Sequence, residues 1–156
     1  MKKKSLGVLL WVVVFQAVGY GLGWLTQGDI DTWYVTLHHS RLTPPPIVFP
    51  LVWSALYVML AIAGWSLWQH RAVFRARLAL GFFGVQMLLN WAWTPIFFGL
   101  HWIGFGFFCI VLMVILTLIC IAVTQKMLKL SALLLMPYLV WLIFAAYLNG
   151  MIWVLN

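Results

Sequence analysis

Three short stripes carry most of the polar chemistry of this chain. Gln86, Asn90, Trp93 and Phe97 recur at spacings of four, three and four. Phe49, Trp53, Tyr57 and Leu60 recur in the same manner, and Tyr138, Trp141, Ala145 and Asn149 follow at three, four and four. Such spacings place each set along one face of a helix. If the stripes face one another, they line an apolar pocket with sparse hydrogen-bonding handles, which suits a planar hydrophobic ligand. Aromatic residues at this spacing also serve plain packing. The amides of Asn90 and Asn149 can bond from helix to helix as well as to a ligand, because an unpaired amide in lipid is costly.

Other chemistries lack their residues. The only acidic side chains are Asp29 and Asp31, and no expected span has an ionisable residue at depth, which speaks against proton-coupled transport. There is no glycine-rich phosphate loop, no serine or cysteine nucleophile with a base, and no general acid. Cys109 and Cys120 are eleven positions apart, about 16 Å along one helix, too far to bond to each other. They read as small buried hydrophobes and not as metal ligands. No metal site or obligatory cofactor is expected.

The elements that must hold these stripes are membrane helices. The chain is 66% hydrophobic and 7% charged, with a mean hydropathy of +1.08, and such a surface belongs in a bilayer. Spans need about 20 mostly apolar residues, and five are expected at 5–25, 47–69, 78–99, 102–124 and 131–155. The run from Leu78 to Thr124 is too long for one helix and breaks at 99–104. The lysine-rich start resembles a secretory signal, but its apolar run is long and lacks a clear cleavage site, so it reads as the first span. The whole chain, 1–156, is expected to form one five-helix transmembrane domain of the all-α class.

Cations set the expected orientation. With the N-terminus cytoplasmic, Lys2, Lys3, Lys4, Arg71, Arg75, Arg77, Lys126 and Lys129 share one side, and only Arg41 lies opposite. This matches the positive-inside rule and gives a multi-pass protein with its first loop on the far side of the membrane. The net charge of +7 is thus a topology signal, not a nucleic-acid footprint. Trp11, Trp24, Trp65, Trp68, Trp102 and Trp153 fall near span ends and read as interfacial anchors, as does His101. His38 and His39, in the first loop, are either solvated or ligands of a metalloporphyrin iron.

The segments "WYVTLHHSRLTPPPIVFPLVWSALY", "NWAWTPIFFG" and "PYLVWLIFAAYLN" resemble the TspO/MBR family, the tryptophan-rich sensory proteins and the mitochondrial translocator protein, or peripheral benzodiazepine receptor. The resemblance covers nearly the whole chain. It implies a dimeric five-helix bundle that binds protoporphyrin IX and haem, and in animals sterols and isoquinoline carboxamides. It further implies that the loop between the first two spans is a lid, with Trp33, Tyr34, Leu37, Pro44 and Pro45 on the family pattern. Prolines suit that task because they lower the entropy lost on ordering a loop. Trp53, Tyr57, Asn90, Trp93, Trp141, Ala145 and Asn149 would then be pocket residues, joined by Phe49, Gln86 and Tyr138 from the stripes above.

The chain departs from the family pattern at His39, Ser40, Arg41 and Leu42, where an aromatic lid wall is missing and a cation stands at the mouth. Arg41 is either a solvated loop arginine, the commoner case, or the partner of a porphyrin propionate. The ending "LNGMIWVLN" lacks a tyrosine followed by a basic residue, which weakens a sterol reading. Small residues allow close helix approach, either at a dimer face or within the bundle: Gly19 and Gly23 on the first span, and Ala76, Ala79, Gly81 and Gly84 on the third, which the resemblance favours for a dimer. Three functions follow in order: a tetrapyrrole-binding sensor, a carrier of porphyrin or another hydrophobic molecule, and weak light-dependent porphyrin breakdown at Trp53 and Trp141.

Overall fold

The computed structural model describes residues 2–156, with side chains from Ser5 onward. The lysine side chains at 2–4, on which part of the charge reading rests, lie outside the described residues.

Among the described residues every regular element is helical. α1 is Lys2–Leu25, α2 Gln27–Thr32, α3 Val48–Gln69, α4 Phe74–Thr94, α5 Ile103–Thr124 and α6 Lys129–Leu155. Two short turns complete the list, a 3-10 turn at Tyr34–Thr36 and a π-helical turn at Pro95–Gly99. Four helices, Ser5–Leu25, Val48–Gln69, Ile103–Thr124 and Lys129–Leu155, are long and apolar enough to cross a membrane. The expected third span, 78–99, differs. α4 is 21 residues long, but Arg75 and Arg77 lie inside it with Gln86 and Asn90, and these polar positions set it apart from the other four. Of the five expected spans, four are matched by helices that qualify by length and composition.

The break expected at 99–104 has a local cause. Pro95 lacks an N–H and its ring crowds the preceding turn, so the α-helix ends at Thr94 and the chain widens into the π turn, where Leu100 N–H reaches the Pro95 carbonyl at 2.9 Å. His101 then takes a left-handed backbone, φ 58°, unusual for a residue with a side chain. This reverses the chain into α5.

Consecutive long helices run antiparallel and pack by interlocking side chains. Gly7 and Gly19 of α1 receive the rings of Trp65 and Tyr57 from α3. Gly64 lies under Trp11 and Phe83, where a Cβ would strike both rings. Leu60, Leu67, Phe83, Met87, Ile110, Met113, Leu135, Tyr138 and Leu142 form the buried centre. The outer surface is equally apolar: Leu9, Leu10, Val13, Leu88, Phe108, Leu133, Val140 and Val154 are all exposed. Apolar inside and outside alike, the bundle has lipid as its solvent, and the chain is an integral membrane protein.

Candidate functional site

The three stripes do converge, but their polar atoms mostly meet one another. In the middle of the bundle the Tyr57 hydroxyl donates to Asn90 Oδ1 at 2.9 Å. Asn90 Nδ2 donates to the Tyr138 hydroxyl at 3.1 Å, and that hydroxyl donates to Gln86 Oε1 at 2.7 Å. All four residues are buried. α3, α4 and α6 are thus stitched together where no water can substitute. Asn149 performs the same task nearer the lid, with Nδ2 on the Ile103 carbonyl at 2.8 Å and Oδ1 accepting from Trp93 Nε1 at 3.3 Å. Of the two uses open to the amides, bonding between helices is the one present here.

The aromatic residues divide into two groups. On α4 and its π turn, Trp93 stacks on Phe97 with centroids 4.9 Å apart, and the lid leans on this pair. Trp33 packs on Phe97 at 5.6 Å and stacks flat on His101 at 3.9 Å, while Tyr34 meets Phe97 and Phe98 at 6.2 and 5.4 Å. His101 Nε2 lies 3.5 Å from Asp29 of α2, so the residue read as a simple interfacial anchor also seats the lid. Burial holds the Tyr34 phenol above its ordinary pKa. The His39 ring donates to the Tyr34 carbonyl at 3.0 Å and packs on the Tyr34 ring at 4.6 Å.

The second group spans α3 and α6. Trp53 lies 5.5 Å from Tyr57, 6.4 Å from Tyr138 and 6.5 Å, edge-on, from Trp141. Trp141 also meets Phe49 at 6.0 Å and Phe144 at 5.7 Å. Beside this wall runs an open groove of about 360 Å³ lined by Val52, Ala55, Leu56, Met59, Pro137, Val140, Trp141 and Phe144. Pro137, inside α6, withholds the N–H that would bond the Leu133 carbonyl. The indole N–H of Trp141 is buried with no hydrogen-bond partner among the described residues. Such a donor costs free energy until an acceptor arrives.

The lid crosses from one group to the other. The proline run enters α3 directly, with Val48 and Phe49 N–H on the Pro45 and Pro46 carbonyls at 2.9 and 3.3 Å. Ser40 and Tyr147 share a hydroxyl contact of 2.7 Å. His38 N–H donates to Asn156 Oδ1 at 2.9 Å, and Asn156 Nδ2 donates to the His38 carbonyl at 3.2 Å. Leu37 and Pro44 are half-buried, whereas Pro45, Arg41 and Leu42 are exposed. Ala145 packs against the core beside Trp141. The stripes missed Val52, Met59, Val140 and Phe144, though positions 52, 55, 56 and 59 and positions 137, 140, 141 and 144 carry the same helical spacing one face over. Nothing in the sequence signalled Ser40, Tyr147 or Asn156 as latch residues.

An all-helical membrane bundle with an aromatic wall and a buried, unpartnered indole donor beside an open groove defines a membrane protein with a candidate apolar ligand site. The chain belongs to the TspO/MBR family, whose model matches residues 11–154. It is 35% identical over 129 residues to Protein CrtK of Rhodobacter capsulatus, covering 80% of this chain and 78% of that one. It is 32% identical over 160 residues to the tryptophan-rich protein TspO of Chlorobaculum tepidum, covering 100% and 99%. The human translocator protein is 33% identical over 129 residues, covering 81% and 76%.

Proposed function

We propose that this protein is a membrane-embedded binding protein and sensor for tetrapyrroles, protoporphyrin IX and haem among them, and for similar planar hydrophobic ligands such as isoquinoline carboxamides. The observation that carries the reading is the Trp141 indole N–H, buried and unpartnered beside the apolar groove. A flat macrocycle would lie against Trp53, Trp141 and Phe144, and a carbonyl or carboxylate at its edge would accept from Trp141. Ligand sites are of order 300–1,000 Å³, and the groove falls in that range before any movement of the lid. Gln86, Asn90, Tyr138 and Tyr57 form the floor that fixes the spacing of α3 and α6, and Trp33, Phe49, Trp93, Ala145 and Asn149 extend the site toward the lid. Arg41, exposed at the mouth, is the partner for a propionate.

In this reading α4 also spans the membrane, as the third of five spans, the N-terminus is cytoplasmic and the lid lies on the opposite face of a bacterial cell membrane. The protein pairs as a homodimer through α4. Gly81 and Gly84 face open space next to the exposed Leu78, Val85 and Leu88, a surface that a second copy can approach closely. Gly19 is already filled by Tyr57 and Ala76 and Ala79 are buried within the bundle, so these serve internal packing.

A carrier role is the second reading, favoured by one feature: Ala55, Pro137 and Val140 on the groove rim are exposed on the outer face of the bundle, so a ligand has a sideways route to lipid. Light-dependent breakdown at Trp53 and Trp141 ranks third, since they offer electron donors but no acid or base. The test is tryptophan quenching by protoporphyrin IX in the dark on the solubilised protein. Saturable one-to-one quenching, weakened in Trp141→Phe, supports the reading. Linear quenching that ignores the substitution shows partition into the micelle and removes it.

A further inference from the structure

At the end of the bundle away from the lid, the α3–α4 turn forms a second groove lined by Trp68, Gln69, Arg71, Ala72, Arg77 and Leu80, about 630 Å³ in volume. We infer that this groove is a binding site for the phosphate headgroup of an anionic phospholipid, with Arg71 and Arg77 as the phosphate ligands and Trp68 and Leu80 as the floor for the upper acyl chain. The inference stands apart from the tetrapyrrole reading and involves none of its residues.

Charge complementarity selects the occupant. Both acidic residues of the chain, Asp29 and Asp31, lie at the lid end, so no carboxylate is available to the guanidiniums of Arg71, Arg75 and Arg77. Arg71 is held in place by its Nη1 donation to the Trp68 carbonyl at 2.7 Å and by stacking 4.3 Å from the Trp68 ring centroid. Its other N–H groups are left for a ligand, and the planar fork matches two phosphate oxygens. Arg77 is steadied more loosely over the Phe74 ring at 5.8 Å. Arg75 and Arg77 moreover occupy the start of α4, the positive end of a helix, where cations are disfavoured. An anion between the guanidiniums relieves that repulsion.

The surroundings identify the anion as lipid. The groove lies at the end of α3, a helix apolar enough to span the membrane, with Trp68 at interfacial depth, and its floor is apolar. A free inorganic ion would leave that floor bare, whereas a phospholipid fills groove and floor together. In the proposed orientation this is the cytoplasmic leaflet, where anionic lipid attracts basic segments.

The test is native mass spectrometry of the full-length protein in neutral detergent, titrated with phosphatidylglycerol or phosphatidylcholine of identical acyl chains. The expected result is one preferred phosphatidylglycerol per chain, weakened at least about tenfold in Arg71→Gln/Arg77→Gln. Lys126→Gln/Lys129→Gln removes the same charge from the same end and is expected to change affinity by less than about twofold. Ala72→Glu, at an exposed turn position, supplies an internal carboxylate to both arginines without removing the Arg71 contact to the turn, and is expected to displace the lipid as fully. Equal losses in the arginine and lysine variants, retention of the lipid in Ala72→Glu, or equal binding of the two lipids would overturn the inference.

Discussion

The two aromatic groups beneath the lid are made of the same residue types and have opposite states. The α4 group, with Trp93, Phe97, Trp33 and His101, is closed: Trp93 stacks on Phe97 and Trp33 on His101, Trp33 meets Phe97 edge-on, the Trp93 N–H has Asn149 as its acceptor, and the loop after α2 rests on top. The α3–α6 group, with Phe49, Trp53, Trp141 and Phe144, meets edge to face, borders an open groove and leaves the Trp141 N–H without a partner. A tryptophan whose hydrogen bond is already made contributes to rigidity. One whose bond is unmade is, in the proposed reading, the donor to a ligand. The Trp91 N–H is likewise buried without a partner among the described residues but does not line the groove, so in the proposed reading it is the groove beside Trp141 that gives an unmade bond a use.

Substitutions can break this contrast in graded steps. The largest effect belongs to the bonded layer: Asn90→Leu removes the acceptor of Tyr57 and a donor to Tyr138, and is expected to destabilise the fold by about 2–3 kcal/mol, read as a lower unfolding midpoint in detergent. Trp141→Phe is expected to weaken protoporphyrin binding about tenfold by dark titration, with an unfolding midpoint close to the parent's. The difference sharpens the contrast, since one change touches stability and the other affinity. Tyr147→Phe removes the Ser40 latch, worth about 1 kcal/mol, and is expected to speed ligand release about fivefold in stopped-flow chase. The smallest effect concerns pH. Because burial raises the Tyr34 phenol above its ordinary pKa, the folded lid favours the protonated form. Its stabilisation is complete below about pH 10 and is lost as pH rises through the raised value. Proteolysis of the lid loop is therefore expected to be pH-independent near neutrality and to accelerate above that point, and Tyr34→Phe is expected to abolish the acceleration.

Much of this arrangement was legible in the sequence. Helical spacing brought Tyr57, Asn90 and Tyr138 onto facing stripes, and they meet. Gly99 and Gly104 around His101 marked the break between α4 and α5, while the part played by Pro95 emerged only with the π turn. The groove escaped because Val52, Ala55 and Val140 are ordinary membrane residues, and only the relative rotation of α3 and α6 tells a groove wall from a lipid-facing side chain. The latch escaped for a different reason. Ser40 meets Tyr147 and His38 meets Asn156 across 107 and 118 positions, and pairs of single polar residues at such separations leave no periodic trace. The extent of α4 was misplaced toward its end because its first turn is basic, and charge counting assigned Arg75 and Arg77 to a loop.

The central claim is that planar ligands are held chiefly by the α3–α6 groove, with Trp33 and Trp93 of the closed α4 group touching them only at the edge nearest the lid. Its most direct test is a dark titration of protoporphyrin IX, followed by porphyrin absorbance, on Ala55→Trp, which fills the groove from an exposed position, beside Phe98→Leu, which thins the α4 group. The account predicts that Ala55→Trp abolishes saturable binding while Phe98→Leu keeps it within about threefold of the parent. Saturable binding that survives Ala55→Trp and disappears in Phe98→Leu would contradict the account and place the ligand under the lid against α4.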